Sequence, residues 1–99
     1  MNMQQMLMQA QKMQRELQKA QDELKKKEFK VSKGGAVTVV VLGDKTLQSI
    51  EIDQDALDPE NKEMIEETIK MAINEAHQNI DAEVAQINES ITGRSGGLF

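Results

Sequence analysis

Met3, Met6, Ala10, Met13, Leu17, Ala20 and Leu24 are spaced 3-4-3-4-3-4 along the first quarter of the chain. Such a stripe repeats every seven residues and cannot be left in water. The helix that carries it must lie along a second helix, in this chain or in another copy of it. With Met3 as heptad position a, Lys12, Lys19 and Lys26 fall at c and Arg15 at f. One face of the helix therefore seeks a helix, and the opposite face is basic.

This first helix is expected over about residues 3–27. The segment is rich in Gln, Lys, Glu, Met, Leu and Ala and free of Gly and Pro, and Lys25-Lys26-Lys27 complements the C-terminal dipole. Strands are expected within 29–53. Phe29 and Val31 alternate with polar neighbours, Gly34-Gly35 makes a turn, and Val37 to Leu42 is the most β-branched run. Val37, Val39 and Val41 face one way, and Thr38, Val40 and Leu42 the other. After Gly43-Asp44 a third run places Gln48, Ile50 and Ile52 on one side. This reads as a three-stranded antiparallel meander.

A second long helix is expected over about 59–92. Asp58 can cap it, Pro59 suits its first position, and Gly93 ends it. Ile65, Ile69, Ile73, Ala76, Ile80, Val84, Ile87 and Ile91 form its apolar face. The remainder, 93–99, reads as a mobile tail. The whole, 1–99, is one α+β domain. Strands of this length span roughly 17–27 Å, whereas the helices would span roughly 38 and 50 Å. Their apolar stripes overhang the sheet, which argues for paired, projecting helical arms and a homodimer. Met3 to Leu24 is then the dimer or helix-pairing seam.

Composition narrows the chemistry. The chain has 99 residues and no Cys, so it forms neither disulfide nor thiolate metal site. No segment reads as a transmembrane helix or a secretory signal, and no cofactor motif is present. His77 flanks the apolar face of the second helix, where a packed histidine is the ordinary outcome. Glu63, Glu66 and Glu67 form a solvated face rather than a desolvated acid/base pair. No enzyme, no cofactor and no small-molecule substrate are expected.

Charge points elsewhere. The net charge of -5 divides unevenly: residues 1–33 hold eight Lys/Arg against four Asp/Glu, and residues 34–99 hold four against thirteen. Lys12, Arg15, Lys19 and Lys26 line one side of the first helix, diluted by Asp22, and Lys25, Lys27, Lys30 and Lys33 carry positive charge toward the sheet. Gln4, Gln11 and Gln18 lie among them and can hydrogen-bond phosphates or base edges, although Gln is also a common helix former. The only aromatic residues are Phe29 and Phe99, so base stacking is not offered. Duplex DNA held through phosphates is the expected partner. The alternative is a coiled-coil, prefoldin-like interaction module, with Met1, Met3, Met6 and Met8 as an adaptable tip.

The order of elements also resembles the YbaB/EbfC family of small bacterial nucleoid-associated proteins. The resemblance is carried by Met6-Leu7-Met8-Gln9-Ala10-Gln11-Lys12-Met13-Gln14, by Gly35-x-Val37-x-Val39 and Gly43, by Ile50-Glu51-Ile52-Asp53 with Leu57, and by Ala72-Ile73-Asn74-Glu75-Ala76. It implies an α-β-β-β-α protomer, a homodimer with projecting arms, DNA binding with loose sequence preference, and a place in the cytoplasm at the nucleoid with influence on gene expression. It assigns no individual DNA-contact residue, and the short tail Ser95 to Phe99 departs from it.

Overall fold

The computed structural model describes residues 2–93, so Met1 of the expected tip and the tail beyond Gly93 lie outside the described residues. The element order is α1 (Met3–Lys26), β1 (Glu28–Lys33), β2 (Val37–Leu42), β3 (Leu47–Ile52), short 3-10 turns at Gln54–Ala56 and Pro59–Asn61, and α2 (Lys62–Thr92). The sheet is an antiparallel meander in the order β1-β2-β3.

Each boundary has a local cause. Asn2 caps α1: its side chain accepts from the Gln5 backbone N–H at 2.8 Å, and the Gln5 side chain accepts from the Asn2 backbone N–H at 3.3 Å. This reciprocal box satisfies two amide donors that the first turn would otherwise strand. Gly34 and Gly35 both take positive φ, 59° and 66°, at the β1–β2 turn, and Ala36 N–H closes it onto the Lys33 carbonyl at 3.0 Å. Two successive positive φ values match the twist of a tight hairpin and suit glycine. The β2–β3 connection puts Lys45 at φ 74°.

Three sequence expectations shift in detail. Asp58 and Pro59 start a 3-10 turn rather than the long helix: Asp58 accepts from the Glu60 N–H at 2.9 Å, and the α-helix begins at Lys62. Proline and the Asp58 bond tighten this turn, and Asn61, without a side-chain cap, hands over to α2. Gly93 has φ -64° and ψ -29°, so it continues the helical conformation instead of making a left-handed cap. In β3 the pairing passes from Val40↔Ser49 to Val41↔Leu47 and skips Gln48. This bulge puts Leu47, not Gln48, opposite Val41.

The core sits between one face of the sheet and α2. Val37, Val39 and Val41 alternate as buried residues of β2, with Val31 beside them on β1. Ala72, Ala76 and Ile80 of α2 close over them, and Phe29, Ile52, Ile65, Ile69, Ile73 and Val84 fill the margins. Alanines at 72 and 76 let the helix approach the valine face closely. α2 lies over β1 and β2 and leaves the inner face of β3 largely uncovered, with Leu47 and Ile50 each 42% exposed.

Beyond the sheet α2 runs on and pairs with α1. Leu24 is buried, and it shares a surface hollow with Ile80 and Val84. Lys27 Nζ reaches Glu83 Oε1 at 2.6 Å. The two helices therefore form an antiparallel pair that extends off the end of the sheet. The molecule measures 69 × 20 × 14 Å.

Candidate nucleic-acid interface

The seam that opens the sequence divides into two parts. Leu24 is buried, and Met13, Leu17 and Ala20 are half-buried where α2 runs beside them. Met3, Met6 and Ala10 are exposed, as is every residue from Asn2 to Lys12. At about 1.5 Å per residue, this projecting portion is roughly 15 Å long. It carries Met3, Met6, Leu7 and Met8 into solvent, Met3 at 78% exposure.

The cations of the sequence reading separate just as clearly. Lys27 is tied to Glu83 and lies 5.3 Å from the centre of the Phe29 ring. Lys33 Nζ meets Glu75 Oε1 at 2.7 Å and is half-buried between β1 and α2. Lys25 stands 3.9 Å from Asp22. These three already have carboxylate neighbours within the chain, and two of those neighbours belong to α2. Lys45, not singled out in the sequence, likewise pairs with Asp81 of α2 at 2.9 Å.

Lys12, Arg15, Lys19 and Lys26 are exposed on α1 with no ion pair among the described residues, and so is Lys30 on β1. Lys30 pairs in register with Val40 and so belongs to the sheet face turned away from α2. The four α1 cations follow the helix surface on the side away from its seam. Two shallow surface grooves flank this line. One is lined by Gln11, Gln14, Arg15, Leu17, Gln18 and Gln21, and the other by Arg15, Gln18, Lys19, Asp22, Glu23 and Lys26. An exposed cation whose head group is not held by a carboxylate is available to a phosphate at little cost in lost internal contacts.

A model of the YbaB/EbfC DNA-binding family matches residues 1–95. The chain belongs to the YbaB/EbfC DNA-binding family. A nucleoid-associated protein of Clostridium botulinum strain Eklund 17B is 46% identical over 100 residues, covering 99% of this chain and 88% of the relative. A nucleoid-associated protein of Metamycoplasma arthritidis is 37% identical over 95 residues, covering 96% of this chain and 99% of the relative. The crystal structure of an uncharacterized protein from Helicobacter pylori has the same fold. It superposes with a TM-score of 0.73 at 22% identity, covering 93% of this chain and 98% of the other.

The family is bacterial, nucleoid-associated and DNA-binding. No group of three or more His, Cys, Asp or Glu side chains suited to a metal ion occurs among the described residues. No described helix is long and apolar enough to cross a membrane. His77 is half-buried on the flank of α2.

The sequence did not single out the partition of the lysines. Lys12 and Lys27 look alike in a list of basic residues, and only the folded positions of Glu75 and Glu83 distinguish them. Asn2-x-x-Gln5 carries the signal of the α1 capping box.

Proposed function

We propose that this protein binds duplex DNA as a homodimer, mainly through phosphate contacts made by Lys12, Arg15, Lys19 and Lys26 of α1, with Lys30 as an outlying contact. Lys27 and Lys33, held by Glu83 and Glu75 of α2, contribute to the local field rather than to direct contacts, and the exposed Lys25, 3.9 Å from Asp22, adds to the same positive surface. The observation that carries this reading is the row of exposed α1 cations without carboxylate partners, on a chain of a DNA-binding family. The exposed surface of α2 is rich in acids, including Glu63, Glu66 and Glu67, and would be turned away from DNA. The protein acts by binding rather than catalysis, in the cytoplasm at the bacterial nucleoid, with a role in nucleoid organisation and gene regulation.

The homodimer rests on two apolar surfaces. One is the uncovered inner face of β3, where Leu47 and Ile50 stand exposed beside the half-buried Ile52. The other is the projecting stretch of the seam, Met3, Met6 and Ala10. A second copy is the occupant favoured here. Both surfaces lie on the same chain, and the free seam keeps the coiled-coil spacing that a like helix would match.

Charge reversal separates this proposal from its alternatives. The triple variant Lys12→Glu/Arg15→Glu/Lys19→Glu is expected to lose binding to a short duplex while retaining the helical circular-dichroism signal. The control pair Lys27→Ala/Lys33→Ala is expected to bind nearly as well as the parent. Retention of binding by the triple variant would show that another face meets DNA. The exposed Met3, Met6, Leu7 and Met8 favour a second reading, a protein-interaction arm without DNA binding. That reading gains if the protein suppresses aggregation of an unfolded client and shows no affinity for duplex at low salt.

A further inference from the structure

The chain carries seven methionines and no cysteine, so all of its sulfur is thioether sulfur. None of the described methionines belongs to the core, which is built from Val, Ile, Ala, Leu and Phe. Met3, Met6, Met8, Met64 and Met71 are each at least 44% exposed, and Met13 is half-buried. Met3, Met6 and Met8 stand together on the projecting part of α1. The seam changes composition at the same place. Its large residues are Leu17 and Leu24 where α2 covers it and Met3 and Met6 where it projects, with Met13 between. Leucine serves a helix-pairing seam well. What methionine adds at a similar volume is flexibility and a sulfur that can be oxidised.

Oxidation converts this apolar side chain into a polar sulfoxide. In a core the change would break packing, but no described core position would receive it. On the projecting arm its effect depends on the face. Met3 and Met6 occupy seam positions a and d, so a sulfoxide there places a strong dipole where a partner helix needs apolar surface. Met8 is two positions from both Met6 and Ala10 and therefore points away from the seam. On α2 the Thr68 hydroxyl lies 3.5 Å from Met64 Sδ and partly screens that sulfur.

We propose that Met3 and Met6 form a reversible oxidation site that controls contact between copies along the projecting seam. The oxidant is hydrogen peroxide. The methionine sulfur attacks one peroxide oxygen: the S–O bond forms and the O–O bond breaks. The proton of the transferred oxygen passes to the departing one, which leaves as water. The thioether loses two electrons and the peroxide gains them. The reverse step uses two thiols of a sulfoxide reductase, which become a disulfide while the oxygen leaves as water. This chain has no cysteine to supply them. Peroxide captures protomers whose seam is open, and the sulfoxides then oppose re-pairing. This inference rests on the homodimer reading above and names how that contact is regulated.

Treatment of the full chain with hydrogen peroxide tests it, read by peptide mass spectrometry, circular dichroism and sedimentation across a concentration series. Met3, Met6 and Met8 are expected to gain an oxygen before Met13, with the helical signal unchanged. The dimer dissociation constant is expected to rise by about tenfold or more, the loss of one buried methionine contact, and to recover after a methionine sulfoxide reductase with a thiol. Met3→Leu/Met6→Leu keeps an apolar seam without sulfur. It is expected to dimerise like the parent and to hold its dimer under peroxide, whereas Met8→Leu responds as the parent does. Met3→Gln/Met6→Gln, polar without any oxidant, is expected to weaken the dimer like peroxide. A parent dimer indifferent to oxidation at Met3 and Met6 overturns this inference and leaves the homodimer intact. So does a leucine variant that loses its dimer under peroxide as the parent does. A parent that is monomeric before treatment overturns both.

Discussion

A methyl group at Gly43 would lie 1.7 Å from the Leu24 carbonyl oxygen and 2.6 Å from its carbonyl carbon. The obstacle is backbone, so no rotamer change relieves it. Gly43 N–H also donates to the Lys27 carbonyl at 3.0 Å, which ties the end of β2 to the end of α1. Gly43→Ala is therefore expected to destabilise the fold by about 2 kcal/mol or more, read as a lower midpoint in urea denaturation. Next to it, Asp44 accepts from the Thr46 N–H at 2.9 Å. Hydrogen bonds from Thr46, side chain first and backbone second, hold its carboxyl below the ordinary value of 3.8. A folded-state pKa that is depressed adds stability above the unfolded value and loses it as pH falls through the folded one. The stability difference between parent and Asp44→Ala should thus be full near neutrality and shrink below about pH 3.8. A difference that stays constant down to pH 2 would contradict the Thr46 assignment. Gly43 was legible in the sequence only as punctuation. Its role as the point where a strand passes under a helix end depends on a close approach that no local pattern encodes.

Among the elements, α2 carries the fold and α1 carries the surface. Ile80, 1% exposed, sits where the sheet core gives way to the helix pair. Ile80→Ala is expected to cost about 3 kcal/mol, measured by chemical denaturation. Lys33→Ala, which breaks a partly exposed pair with Glu75, should cost under about 1 kcal/mol. The strands and both helices were readable because their periods differ: alternation in Val37 to Leu42 is distinct from the near-heptad steps of Met3 to Leu24 and Ile65 to Ile91. The elements' partners were less readable. The seam spacing requires a helix but does not say whose, and the folded chain supplies α2 only from Met13 onward. The basic positions were readable as a set, yet what ties down Lys27 and Lys33 is a pair of carboxylates more than forty positions away in sequence. Gln48 shows the same limit, since a bulge displaces the alternation that its neighbours Ile50 and Ile52 suggested.

As a whole, the molecule is a rod of 69 × 20 × 14 Å with a sheet toward one end and a helix pair toward the other. Two apolar areas remain open on it, the inner face of β3 and the overhanging seam. If β3 meets a second copy, Ile50→Glu should convert the dimer to a monomer by light scattering while the helical content persists; an unchanged mass would move the interface elsewhere. The opposite side of α1 is the proposed DNA-binding face. Four exposed cations, Lys12, Arg15, Lys19 and Lys26, face solvent along it, so binding should release about four counterions per arm. The most direct measurement is duplex-DNA affinity across a salt series, on protein whose mass in solution is known. The expected result is a slope of log K against log salt near about -3.6 for each engaged arm, reduced when these four residues are neutralised. Binding that is absent at low salt, or that does not respond to salt, would contradict it.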